Sequence, residues 1–156
     1  MCFLSNILNP REGSICSINE DKQVFNSGGP VQIQTMKESA RAKDKIGFSF
    51  EVKKIGTGQI YEKKTKCDKT LRKNENRVYM TVDSKIDGLS CTGLTTSGTK
   101  AEGFVTLFDN VKIITCTQPV TTKTDFEQVI SINAMYDYED FVQTEITVKN
   151  SGEVSK

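Results

Sequence analysis

Four large apolar residues at every second position, Ile46, Phe48, Phe50 and Val52, constrain this chain more than any other feature. Side chains alternate across a β-strand, so all four fall on one face, with Ser49 and Glu51 on the other. A face of that kind needs a second layer of structure to cover it. The run ends at Gly56-Thr57-Gly58, where glycine lets the backbone turn at positions a Cβ would obstruct.

The two-residue period recurs along the chain, and no helix-length apolar stripe of period 3.6 accompanies it. Val31, Ile33 and Thr35 alternate with Gln32 and Gln34, directly after the breaker Asn26-Ser-Gly-Gly-Pro30. Residues 37–45 are charged and poor in apolar side chains, which predicts a loop or short edge connection. Val78, Met80 and Val82 form a further strand ending at Asp87-Gly88, and Leu89 to Leu94 a short one. Residues 95–100 read as loop. Residues 103–117 read as a hairpin, with Val105 and Leu107 on one arm, Val111 and Ile113 on the other, and Asp109-Asn110 between them. Ile130, Ile132, Ala134 and Tyr136 make another strand that exits through 136–140. Val142, Thr144, Ile146 and Val148 make a last one.

The resulting expectation is an all-β chain, an antiparallel sandwich of about seven to eight strands. Residues 1–26 form an N-terminal cysteine-containing segment or hairpin, 27–150 the sandwich, and 151–156 a tail or linker. The face of Ile46, Phe48, Phe50 and Val52 is expected to meet Val78, Met80, Ile130 and Ile132.

Chemistry is bounded by what the chain lacks. It contains no histidine, which removes the Ser/His and Cys/His pairs that activate most nucleophiles and the commonest ligand of zinc and copper. With no catalytic motif, no cofactor motif and no metal-ligand spacing among its residues, it reads as a non-enzyme. A net charge of +1 argues against a nucleic-acid surface working by bulk charge. No apolar stretch approaches a membrane span, so no membrane insertion is expected within these residues.

Five cysteines, Cys2, Cys16, Cys67, Cys91 and Cys116, stand far apart with no CxxC pair. That spread resembles the half-cystines of an exported protein more than a metal site, and it places the chain outside the cell or at its surface. On this reading any signal or anchor lies outside these residues. Cys2 with Cys16 would close a loop of about 15 residues, a size at which a disulfide contributes roughly 3 kcal/mol. Cys91 with Cys116 would join two strands, Cys67 competes for either, and the spacing leaves the connectivity open.

Two charged constellations stand out. Lys63, Lys64, Lys66, Lys69, Arg72 and Lys73 make a basic loop across 62–76, which would either hold an acidic glycan or simply be solvated. Asp137, Glu139 and Asp140 form an acidic cluster interleaved with Tyr136, Tyr138 and Phe141. The spacing of a calcium loop is missing there, and nothing supplies the apolar pocket that would raise one carboxyl for glycoside hydrolysis.

The stretch GFSFEVKKIGTGQIY, preceded by GGPVQIQ and followed by LSCTGL, GFVTLFDNVKIITC and VISINAMYDYEDFVQTEITV, resembles immunoglobulin-like modules of archaeal and bacterial cell-surface proteins. The likeness spans roughly residues 28–149, with Lys54 where those modules usually carry asparagine. It implies an immunoglobulin-like sandwich displayed at the surface as a structural or adhesive module, and it transfers no catalytic residue. The partners it implies are neighbouring domains or copies of the same protein, or a surface glycan. A filament or capsid subunit that exchanges its N-terminal strand is the alternative.

Overall fold

The computed structural model describes residues 2–3, 21–42, 44–121 and 126–149. Among the described residues eleven strands follow in chain order: β1 (Cys2–Phe3), β2 (Val31–Ala42), β3 (Lys45–Lys54), β4 (Gln59–Glu62), β5 (Arg77–Asp83), β6 (Ser90–Cys91), β7 (Thr95–Ser97), β8 (Lys100–Thr106), β9 (Val111–Pro119), β10 (Phe126–Glu127) and β11 (Ser131–Glu139). A single 3-10 turn at Arg72–Asn74 is the only helical element among the described residues. Two antiparallel sheets dominate, one ordered β4-β11-β5-β8-β7 and the other β2-β3-β9-β6, while β1 pairs with β10 apart from them.

β3 is the expected strand. Its Ile46, Phe48, Phe50 and Val52 are all buried, and β2 and β9 flank it on both sides. One buried apolar cluster draws on both sheets: Phe48, Phe50, Val52, Ile114 and Cys116 from one, Ile60, Val78, Met80, Val82, Ala101 and Val105 from the other. Burying each large side chain contributes about 1.5–3 kcal/mol. Val78 and Met80 belong to this cluster as expected, and Ile130 and Ile132 pack against it half-buried.

Five expectations fail. β2 continues through residues 37–42, with Lys37, Ser39, Arg41 and Ala42 exposed and the one buried charge, Glu38, lying 3.7 Å from the Lys22 ammonium. It carries a bulge in which Gln34 and Thr35 face Glu51 alone. The extra residue reverses the alternation, so Met36 and Glu38 turn inward and Thr35 outward. Residues 95–100 are a tight hairpin of β7 with β8, turning at Gly98-Thr99, where Gly98 takes φ +59°.

The Asp109-Asn110 turn forms, with φ of 51° and 66° and a bond from Val111 N–H to the Phe108 carbonyl of 3.0 Å. Its arms nevertheless join different sheets, β8 pairing with β5 and β9 with β3, so the turn is a corner and not a hairpin. In β9 the inward residues are Ile114, Cys116 and Gln118, while Ile113 is exposed. Finally, the alternating residues after Asp140 make no strand. Phe141, Val142, Ile146 and Val148 all lie exposed.

Cys91 and Cys116 face each other in register on β6 and β9 and form a disulfide, with Cα atoms 4.0 Å apart. Cys67 is a free thiol. A Cys2–Cys16 link lies outside the described residues.

The Gly56-Thr57-Gly58 turn owes its glycines to close packing. A Cβ on Gly56 would stand 2.6 Å from both Pro30 and the Tyr138 hydroxyl, and one on Gly58 would collide with the Glu139 carbonyl and the Tyr138 ring. The Tyr138 hydroxyl accepts the Gly58 N–H at 2.8 Å, and the Pro30 carbonyl accepts the Ile55 N–H at 2.8 Å. Gly58→Ala is therefore expected to destabilise the protein by about 1–3 kcal/mol, as overpacking does. Gly28→Ala, whose Cβ meets nothing within 4 Å, should stay near neutral. Urea denaturation of the two variants checks the contrast.

Candidate functional site: the basic loop and the acidic strand end

β4 ends at Glu62 beside the C-terminal half of β11, and the register sets Glu62 opposite Tyr136 and Tyr61 opposite Asp137. This pairing brings the basic loop onto the acidic cluster. Lys64, Lys66 and Cys67 take left-handed backbone angles, φ 68°, 53° and 57°. The loop thereby curls so that the Lys64 and Lys66 N–H groups donate to the two oxygens of Asp137, at 3.1 and 2.6 Å. Backbone N–H groups converging in this way form an anion-binding concavity, and here the chain's own carboxylate fills it.

Neighbouring charges are paired in the same manner. Lys69 Nζ lies 2.8 Å from Glu139, which raises the lysine above its ordinary range. Arg77 meets Glu62 at 2.6 Å. Asp68 accepts the Thr70 hydroxyl and N–H, and these bonds hold its carboxyl below the usual range. Burial pushes the half-buried Cys67 thiol up, and Asp137 and Glu139 push it further, so it is a poor nucleophile at neutral pH.

Lys63 sits with Nζ 3.1 Å from the centre of the Tyr79 ring, and the Arg77 guanidinium 4.6 Å from that of Phe104. Tyr79 and Phe104 are cross-strand neighbours on β5 and β8 with rings in edge-to-face contact, 4.9 Å between centroids. Sequence reasoning missed this cation-aromatic group. The signal was present, since Val78, Met80 and Val82 facing inward place Tyr79 on the outer face.

Lys64, Lys66, Arg72 and Lys73 remain exposed, with no ion pair among the described residues. Lys63, Lys64 and Lys66 line an open depression of about 630 Å³ together with Ala134, Met135, Tyr136 and Asp137.

The acidic cluster is committed elsewhere. Asp137 holds the loop, Glu139 holds Lys69, and Asp140 accepts the Phe141 N–H, with Tyr138 and Thr57 hydroxyls 3.3 Å away. No group of three or more His, Cys, Asp or Glu among the described residues is arranged to hold a metal ion.

A second polar cluster lies between β5 and β9. Ser84 and Gln118 are fully buried, the serine hydroxyl donating to Gln118 Oε1 at 2.6 Å and the amide donating to the Asp87 and Pro119 carbonyls. A neutral amide has no basicity with which to activate the serine, so the pair serves to pin the turn after β5. Lys85 donates to Asp83 through side chain and backbone, and Thr99 adds a bond, holding the Asp83 carboxyl down at about 2.

Comparison with family models, with curated proteins and with solved structures finds no match to this chain. No helix among the described residues is long and apolar enough to cross a membrane.

Two outcomes follow. Asp137→Ala should leave two loop N–H groups without their acceptor and loosen the loop, seen as faster amide exchange at Lys64 and Lys66 with β5 and β9 protection unchanged. The folded Asp83 carboxyl titrates near 2 against an ordinary 3.8. The native state then binds fewer protons than the unfolded one, so this contribution is complete above about pH 4 and is lost as pH falls toward 2. Asp83→Asn should remove that part of the pH dependence in acid-denaturation curves.

Proposed function

We propose that the chain is a non-catalytic, immunoglobulin-like β-sandwich module of an exported cell-surface protein, with a structural or adhesive role toward neighbouring domains or copies of itself. The observation that carries this reading is the Cys91–Cys116 disulfide, since a bond of that kind persists in oxidising surroundings. Two antiparallel sheets that share one apolar cluster support the sandwich. The disulfide lies within one sheet, whereas antibody domains bridge their two sheets, so the kinship is one of architecture and not of that hallmark. The buried Asp83, Ser84 and Gln118 serve turn geometry, which suits a scaffold.

A second reading has the exposed Lys64 and Lys66, beside the depression over Ala134 and Met135, hold an anionic surface glycan. Salt-sensitive retention on an anionic column, abolished by neutralising Lys64 and Lys66, would favour it.

Intact mass and differential alkylation of unreduced protein from its native host test the leading reading. The expected result is a protected Cys91–Cys116 pair and a labelled Cys67. Five free thiols would sink the exported assignment. Reduction should also lower stability by about 3.5 kcal/mol, the loop-entropy value for a closed loop of about 25 residues.

A further inference from the structure

The outer face of the five-stranded sheet carries one apolar row. The register sets Met135 of β11 opposite Tyr79 of β5, and Phe104 of β8 opposite Tyr79 on its other side. The three side chains therefore cross neighbouring strands, about 4.8 Å apart by the spacing of a sheet. Met135 is 39% exposed, and both rings are half-buried.

Two cations lie on this row, and they are held differently. Arg77 stands over Phe104 and is already paired with Glu62 at 2.6 Å. Lys63 stands over Tyr79, its Nζ 3.1 Å from that ring centre and 5.9 Å from that of Phe104, and it makes no ion pair among the described residues. A ring quadrupole attracts an ammonium without neutralising it, and it fixes a head group that would otherwise sample many rotamers. Lys63 is thus a positioned cation whose charge no described carboxylate balances.

The same lysine lines the open depression together with Lys64, Lys66 and Met135. The one carboxylate lining it, Asp137, has its two oxygens bonded to the Lys64 and Lys66 N–H groups. Neighbouring Glu62, Glu139 and Glu102 are engaged by Arg77, Lys69 and the Tyr79 hydroxyl. An open depression suits a polymer lying across the surface, since small molecules are held in clefts that enclose them. Nucleobases stack on aromatic faces that are free, and here the cations occupy them. Charge and shape together favour a chain of sugars that bears acidic groups.

We infer that Lys63, held on Tyr79, is the specificity-determining cation of a site for an acidic polysaccharide, with Lys64 and Lys66 as its exposed partners. The inference rests on the glycan-binding reading, and it adds the aromatic support that sets where the anion sits. Tyr79 and Phe104 are positioning residues, which place the Lys63 ammonium and act on the ligand through it.

Binding of fluorescently labelled polygalacturonate to the full chain at low salt tests this, with uncharged dextran as the control polymer. The wild type should bind polygalacturonate, release it as salt rises, and ignore dextran. Lys63→Met keeps an apolar stem on Tyr79 and should weaken binding about tenfold, the loss of one charged hydrogen bond. Tyr79→Leu should weaken it about threefold, and Tyr79→Phe, which keeps the ring, should restore the wild-type value. Lys100→Ala removes an exposed charge at the start of β8 and should leave the affinity unchanged. Circular dichroism verifies that each variant compared is folded. Equal losses from Lys63→Met and Lys100→Ala would show bulk charge alone and overturn the site. A loss in Tyr79→Leu that Tyr79→Phe does not rescue overturns the positioning role. Binding that neutralised Lys64 and Lys66 abolish, yet Lys63→Met leaves unchanged, keeps the glycan reading and removes this inference. A wild type that ignores polygalacturonate, or prefers single-stranded DNA to it, removes both.

Discussion

The burial of one face of β3 is the constraint on which the remaining structure depends. Ile46, Phe48, Phe50 and Val52 are each at most 2% exposed, and no single sheet can achieve that. β2 and β9 satisfy the backbone of β3 on either side, and Val78, Met80, Val82, Ala101 and Val105 from the second sheet join its side chains in the core. The corner at Asp109-Asn110 carries the chain directly from one layer to the other. The disulfide then ties the short β6, which makes only two residue pairs of its own, to β9 beside the centre of the core.

β11 anchors the candidate site. Its far end holds the basic loop through Asp137 and Glu139 and packs Tyr138 into the Gly56-Thr57-Gly58 turn. Residues in the left-handed region are costly unless glycine, and three of them in succession or nearly so need a reason to persist. The Asp137 carboxylate supplies it by accepting two backbone N–H groups. The same curl ends β4 early, so the geometry that fixes the loop also leaves the first half of β11 without a second described strand beside it. Internal charge pairing and an exposed sheet edge are two results of one loop conformation.

Strict alternation was legible wherever packing needed only one face. Residues 46–52 and 78–82 were placed with the right side inward, because nothing interrupts their period. The period misled where an extra residue enters, as at Gln34 and Thr35, because a bulge has no signature of its own in residue type. It misled again at residues 142–148, where the pattern of a strand is present and the partner is not. Asp109-Asn110 announced a tight turn correctly, since both side chains tolerate positive φ, but a turn constrains four residues and says nothing about which strands its arms will pair with.

Residue identities by themselves determined that the chain is built of strands and that its core centres on Phe48 and Phe50. Those are properties of a side chain and its immediate neighbours in sequence. Only the tertiary structure decided that Cys91 pairs with Cys116 and that the acidic strand end holds the lysine loop through Asp137 and Glu139. The even face of β9 going inward and β4 stopping short of covering β11 were likewise settled there. Each of these depends on the register between segments distant in the chain, and register is an outcome of the whole packing problem, in which a slip of one residue reverses every face.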